Sequence, residues 1–306
     1  MTHIRKLLFI SIIVITVGLI CFQKMSKKPS NSDLFLNSSE YKVLLNPEMF
    51  GDLEKGFSDY WTIVKKVAED NNVVIIENDD PLKLKRKVVS FYDTKNRDLL
   101  KNSLLLRYRR KYKNDKPKNE AEYTLKYRTR DYSSIDNVEL DLGNGFTPKD
   151  DEIEIESDLI FSSLYNGKLD VNYSRANSTV LDVTPIGNIK ELEKVFPGIK
   201  DLDINGNLNL FKIAEIYVDE RGISPGKIDF GNGFECEIDI KVWILRKDER
   251  EVIIPEFSFD HSFPKQSENK DEMIEKCSSF MNKVIEFEPK WIIPGRSKSS
   301  ILFELK

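Results

Sequence analysis

Apolar and polar residues alternate along much of the chain, and the alternation has period two. Residues 103–111 set Arg107, Arg109 and Lys111 on one face and Leu104, Leu106 and Tyr108 on the other, because successive strand side chains point to opposite sides. Residues 120–130 repeat this, with Lys126, Arg128 and Arg130 opposite Tyr123, Leu125 and Tyr127. Acidic versions follow. Residues 151–156 place Glu152, Glu154 and Glu156 against Ile153 and Ile155, and residues 255–260 place Glu256, Ser258 and Asp260 against Phe257 and Phe259. Residues 235–243 set Glu235, Glu237, Asp239 and Lys241 opposite Cys236, Ile238, Ile240 and Val242, and residues 40–45 put Glu40 and Lys42 on one face. Together with residues 85–93 and 211–219 these make eight strand candidates, a number that can close into a barrel.

Two segments carry apolar residues at three- and four-residue spacing instead, which predicts helices. Residues 51–71 contain Leu53, Phe57, Trp61, Val64 and Val67, and residues 271–287 contain Met273, Ile274, Cys277, Phe280, Met281, Val284 and Ile285. The expected fold is mainly β (α+β): an eight-stranded antiparallel, tunnel-like barrel with charged faces inside and apolar faces outside, under flanking helices. Residues 157–210 lack clear alternation and read as a loop-rich insertion with one short helix candidate at 189–196; long insertions of this kind often serve as lids or partner surfaces. Residues 113–119 read as a hairpin loop.

Charged groups inside a barrel require water, paired opposite charges, metal or a charged ligand. One cationic strand face alone is explained by exposure to solvent. Its recurrence on neighbouring strands argues for a polyanion site, since arginines suit bidentate contact with phosphate or carboxylate.

The chain has 306 residues, 40% hydrophobic and 32% charged, with a net charge of only −4. That gives no general attraction to nucleic acid; the two signs are segregated by strand. The start departs from this composition. Arg5-Lys6 precedes an apolar run over residues 7–22, and a polar spacer at 29–39 follows a basic flank. No small-residue cleavage site ends the run, so residues 1–28 read as an uncleaved single-pass membrane anchor. Positive charges on both sides leave its orientation open. The short basic start resembles an export segment, which favours an extracytoplasmic body over a cytoplasmic one. The tunnel domain would then occupy residues 40–306.

His3 and His261 are the only histidines, which argues against a histidine relay or a histidine-rich zinc site. Cys236 and Cys277 read as buried free thiols, with a disulfide as the alternative. Arg296 and Lys298 read as part of an exposed basic tail, the alternative being closure of one tunnel mouth.

Ser90-Phe-Tyr-Asp-Thr94, followed by Leu106-Arg-Tyr-Arg109 and Thr124-Leu-Lys-Tyr-Arg128, resembles the CYTH superfamily, also called triphosphate tunnel metalloenzymes. The resemblance spans residues 40–260, and residues 90–130 carry it. It implies a tunnel that binds inorganic triphosphate, polyphosphate or nucleoside triphosphate and hydrolyses it with a divalent metal, Mg²⁺ or Mn²⁺. By the same resemblance Arg107, Arg109 and Lys126 would hold phosphate oxygens, with Lys42 and Arg128 beside them. The family's opening Glu-x-Glu-x-Lys meets Ser38-Ser-Glu-Tyr-Lys42 here, so Glu40 and Lys42 fit while Ser38 replaces the first glutamate. The family's later basic pair has no clear match, unless Arg221 supplies one. Hard divalent ions take carboxylate and phosphate oxygens, and Glu40, Glu154, Glu156 and Glu256 are the candidate metal ligands. Glu154 or Glu156 would orient the attacking water. The alternative expectation is a non-catalytic module that holds a phosphate chain at the cell envelope. Nucleotide cyclisation is known in the superfamily, but no residue here selects it.

Overall fold

The computed structural model describes residues 36–150, 153–161, 169–247, 250–263 and 270–304. The strands in chain order are β1 Ser38–Leu45, β2 Val74–Glu77, β3 Lys85–Asp93, β4 Leu104–Lys113, β5 Lys116–Pro117, β6 Glu120–Thr129 and β7 Glu154–Phe161. They continue with β8 Leu169–Asp182, β9 Phe211–Lys212, β10 Tyr217–Ile223, β11 Gly226–Asp229, β12 Glu235–Lys247, β13 Arg250–Ser262 and β14 Ile292–Ile293. Nine of these described strands close a barrel in the order β1-β13-β12-β10-β3-β4-β6-β8-β7 and back to β1.

The ninth strand is β8, within the stretch expected to be a loop-rich insertion, and it changes the topology. A ring of nine strands cannot alternate direction throughout, so one neighbouring pair must be parallel. That pair is β1 with β7; every other pair around the ring is antiparallel. The tunnel-like barrel is therefore mixed rather than wholly antiparallel. β8 escaped the alternation test because its outward face is polar. Arg175 and Asn177 point out and donate to the carbonyls of Val138 (3.3 Å) and Leu140 (3.0 Å), and Thr179 donates to that of Thr147 (2.8 Å). Backbone acceptors from the covering segment thus replace an apolar partner layer.

The outward apolar faces of β1, β12 and β13 are covered as expected. Helices Leu53–Asp70 and Lys270–Phe287 bury Phe57, Tyr60, Trp61 and Val64, and Cys277, Phe280, Met281 and Val284, against Tyr41, Val43, Ile238, Ile240, Phe257 and Phe259. Asp52 caps the first helix by accepting from the Lys55 amide at 3.1 Å, which satisfies one of the free donors of a helix start. Cys236 and Cys277 are free and buried with their sulfurs 3.6 Å apart. The hairpin after β4 turns at Asn114 and Asp115, both at positive φ (50° and 57°), as a tight two-residue turn requires.

Three further details differ from expectation. Ser38 and Ser39, read as spacer, belong to β1. The strand expected over 211–219 is broken by a 3₁₀ turn at Ile213–Glu215, so β10 begins at Tyr217. The tail expected to be exposed instead forms helix Lys298–Glu304, which sits over one end of the barrel. Its Leu302 packs with Leu44, Val89, Phe91, Val218, Trp243, Leu245 and Ile254, making an apolar floor to the tunnel. The expected anchor at 1–28 and Glu152 lie outside the described residues; among those described, no helix is long and apolar enough to cross a membrane.

Candidate functional site

Strand register decides which side chains enter the tunnel. Residues paired directly across antiparallel strands share a face, so the pairs Arg107↔Thr124, Arg109↔Glu122 and Lys126↔Ala176 place these groups together. Glu40 likewise aligns with Asp260 on β13 and Asp158 on β7. The result is a tunnel with two walls. Lys87, Arg107, Arg109, Lys126 and Arg128 come from β3, β4 and β6; Glu40, Glu154, Glu156, Asp158, Asp239, Glu256 and Asp260 come from β1, β7, β12 and β13. Between the walls β8 contributes Ser174, Ala176 and Ser178. These small side chains leave the space across which Lys126 reaches Glu156.

The open end is a cavity of about 630 Å³ lined by Arg107, Arg109, Lys126, Glu40, Glu154 and Glu156 among others. A narrower pocket of about 140 Å³ continues inward, past Lys42 and Arg128, to Phe91, Trp243 and Lys298 at the floor.

Residues 90–94, which carry the family resemblance, serve the frame. The Asp93 carboxylate accepts from the amides of Thr94 (2.7 Å), Leu99 (2.9 Å) and Leu100 (3.0 Å). That ties down the start of the short helix Asp98–Lys101 and the turn into β4, and so the register that points Arg107 and Arg109 inward.

Of the four expected metal ligands, the structure brings two together. Glu40 and Glu156 join Asp158, with carboxylate oxygens all within 4.8 Å of one another. Glu154 lies exposed at the mouth. Glu256 stands nearer the floor, paired with Lys298 at 2.8 Å. Asp158 was missed by the sequence reading, although one more step of the Glu152, Glu154, Glu156 alternation reaches it. Lys298 was misassigned: it is 8% exposed and lies over the Trp243 ring. Glu122, Lys149 and Glu220 were also missed. Glu122 sits among the cations of β4 and β6, and Lys149 arrives from a loop that bridges to β8 through Pro148 and Thr179, a placement without any periodic signal. On β10, Glu220 faces inward and accepts from Trp243 Nε1 at 2.8 Å. Arg221, considered above as an added cation, pairs with Asp219 at 3.1 Å on the opposite face.

Within the acidic cluster the charges are partly answered. Lys42 Nζ bonds both Glu40 and Asp158, the latter at 2.6 Å, and Lys126 Nζ lies 2.6 Å from Glu156. Burial alone would raise the Asp158 carboxyl, but Lys126, Lys42 and Arg128 hold it well below the usual carboxylate range. Glu40 behaves similarly: against burial, Lys42 lowers it to about 2. Glu156 is different. Burial, with Asp158 and Glu40 adding to it against Lys126, pushes it up to about 7. Three carboxylates thus share two ammonium groups, leaving Glu156 under-neutralised. An all-oxygen donor set of this kind suits a hard divalent cation, so the residues present fit such an ion.

The cationic wall shows the converse shortage. Burial and then the neighbouring Arg109 lower Arg107 to about 10, and burial and then Arg109 lower Lys87 to about 8. The Nε atoms of Arg107, Arg109 and Arg128 are buried without a hydrogen-bond partner. Buried guanidinium donors left unpaired are costly; that of Arg128 lies 4.0 Å from the Asp158 carboxylate.

No family model matches the chain, and no curated protein does. Solved structures resemble it distantly. A protein from Hippeastrum, studied as an adenylyl cyclase and described as having a dominant triphosphatase activity, is 12% identical over 87% of this chain and 94% of its own, with a TM-score of 0.43. A protein from Bacillus halodurans, provisionally described as an adenylate cyclase, is 12% identical over 88% of this chain and 100% of its own, with a TM-score of 0.38. A Pyrococcus horikoshii protein is 14% identical over 88% of this chain and 99% of its own, with a TM-score of 0.35.

Proposed function

We propose that this chain is a divergent CYTH-type tunnel protein that binds a short phosphate chain and hydrolyses it with a divalent metal. The observation that carries the reading is the row of cations Arg107, Arg109, Lys126 and Arg128 facing an acidic cluster across a water-accessible cavity. A phosphate chain along the cationic wall would accept from their guanidinium and ammonium groups. Glu40, Glu156 and Asp158 would hold Mg²⁺ or Mn²⁺. The metal, when bound, neutralises charge on the phosphoryl oxygens. Arg107, Arg109 and Lys126 orient the chain and stabilise the charge that spreads over the transferring group. Glu156, under-neutralised and next to the cavity, is placed to orient the attacking water and take its proton; Glu154 at the mouth is the second carboxylate for that role. An apolar, uncleaved anchor at residues 1–28 would hold the body outside the cytoplasm.

The second reading, a phosphate-chain binding module without hydrolysis, is favoured by Lys42, whose ammonium already lies between Glu40 and Asp158, and by Ser38 in place of a glutamate. One experiment separates the two. Phosphate release from tripolyphosphate and ATP is measured with Mg²⁺, Mn²⁺ or chelator, for the wild type, Glu156→Gln and Arg107→Ala. Metal-dependent release that falls by about a hundredfold in each folded variant is expected. Tight binding without release selects the second reading, and neither binding nor release sinks both.

A further inference from the structure

Glu122 is a carboxylate on the wrong wall. Its side chain is 6% exposed and stands among the cations of β4 and β6. Oε1 lies 3.5 Å from Arg107 Nη2 and 3.4 Å from Arg109 Nη1, and Oε2 lies 3.4 Å from Lys149 Nζ. Thr124 Oγ1 is a further 3.5 Å neighbour.

These distances are at the long limit of hydrogen bonding. Three other buried tunnel carboxylates each close on one cation, at 2.6 Å for Asp158 with Lys42, 2.6 Å for Glu156 with Lys126 and 2.8 Å for Glu256 with Lys298, while Lys87 stands 3.6 Å from Glu220, and Lys126 and Arg128 stand 3.9 and 4.0 Å from Asp158. A charge-assisted pair that is free to close does so at about 2.8 Å. Glu122 closes on none of its three cations, and the Nε atoms of Arg107 and Arg109 stay without a hydrogen-bond partner. The seat is therefore built for an anion with more oxygens and more charge than a carboxylate. It opens on the large cavity, which Glu122, Thr124 and Lys149 all line. Lys149 is fixed there by its own backbone, whose amide donates to Ser178 O at 2.8 Å.

We propose that Glu122 is a tethered stand-in anion: it holds the seat formed by Arg107, Arg109 and Lys149 until a phosphoryl group of the ligand displaces it. This rests on the phosphate-chain reading and adds two residues to it, Lys149 as a ligand-binding cation and Glu122 as the residue that sets how much charge a ligand must bring. A group of low charge gains little by exchanging with a resident carboxylate. A tripolyphosphate, with several charges along one chain, can pay that exchange from its other contacts.

The test is calorimetric titration of sodium tripolyphosphate into the full chain at pH 7 in chelator, for the wild type, Glu122→Gln, Glu122→Asp and Lys149→Met. Glu122→Gln keeps the shape and removes the competing charge, so binding should tighten by about tenfold. Glu122→Asp keeps the charge for folding but draws it back from the arginines; it should tighten binding by a smaller factor and answers the question if Glu122→Gln does not fold. Lys149→Met should weaken binding by about tenfold. A wild type that binds, beside folded Glu122 variants that bind equally or more weakly, overturns the inference, as does an unchanged Lys149→Met. If no form binds tripolyphosphate even with Mg²⁺, the phosphate-chain reading itself fails, and this inference with it.

Discussion

Lys298 shows how far a residue can stand from what its neighbourhood in sequence suggests. Ser297-Lys298-Ser299 reads as an exposed basic tail, since short charged segments are usually solvated. In the fold Lys298 is buried, 2.8 Å from Glu256 and over the Trp243 ring. Nothing in the local sequence tells that the tail returns to the barrel end. Asp158 is the opposite case: its signal was present, as the next inward position after Glu154 and Glu156, and only the assumed strand end hid it. Arg107, Arg109, Lys126 and Arg128 were legible because strict alternation puts them on one face. A buried pair that loses one partner leaves a charge without an answer, which costs about 3–5 kcal/mol. Lys298→Met is therefore expected to lower the unfolding free energy by about 3 kcal/mol, and Lys298→Met with Glu256→Gln to recover most of it. Urea denaturation of the two single variants and the double variant gives the coupling. Additive losses would mean that the pair is solvated and that the tunnel floor is open to water.

At the level of elements, the strands that could be read are those with one dry and one wet face. β4, β6, β12 and β13 put aromatic and aliphatic residues outward and charges inward, and that contrast survives in the sequence. β8 has small polar residues inside and hydrogen-bonded polar residues outside, so its two faces look alike. Since β8 is the ninth strand, missing it also hid the parallel pair of β1 and β7. The closing helix Lys298–Glu304 was obscure for a related reason: seven residues are too few for a periodicity to emerge. Its place depends on Leu302, 2% exposed, against the apolar floor. Leu302→Ala removes that anchor and leaves a cavity, so a loss of about 2–5 kcal/mol is expected. Hydrogen exchange should also show faster exchange in Ile301 and Leu302 and in the floor positions Phe91 and Trp243. Unchanged protection there would mean that the helix rests on the barrel without sealing it.

For the molecule as a whole, a net charge of −4 conceals a tunnel of opposed walls, and that arrangement makes stability depend on pH in both directions. Asp158 is buried yet held low by Lys126, Lys42 and Arg128, and Glu220 is buried yet held low by Lys298 and Arg109. A carboxyl lowered on folding stabilises above its unfolded value, near 4, and that stability is lost as the pH falls. Glu156 and Asp260 are raised to about 7, each by burial first, then by Asp158 and Glu40 for Glu156 and by Glu40 and Asp239 for Asp260. A raised carboxyl contributes fully below its unfolded value, and its contribution is lost as the pH rises through about 7. His261, lowered by burial, adds one group whose contribution falls away below about 6.5, against Glu156, Asp260 and Asp93, the last also raised by burial, acting the other way. Without metal, the thermal midpoint should therefore peak near pH 4 to 5 and fall by about 5 °C by pH 8, with most of the fall below about pH 7, a few kcal/mol in a chain of this size. Mg²⁺ on Glu40, Glu156 and Asp158 supplies the charge that the lost proton no longer does, so at pH 8 it should restore most of the fall. Glu156→Gln should flatten the alkaline limb and remove the Mg²⁺ response. Scanning calorimetry from pH 4 to 8, with chelator and with Mg²⁺, decides the matter. A midpoint that rises steadily to pH 8 and ignores Mg²⁺ would show that these carboxyls ionise freely in water, and the acidic wall would then lose its role as a metal site.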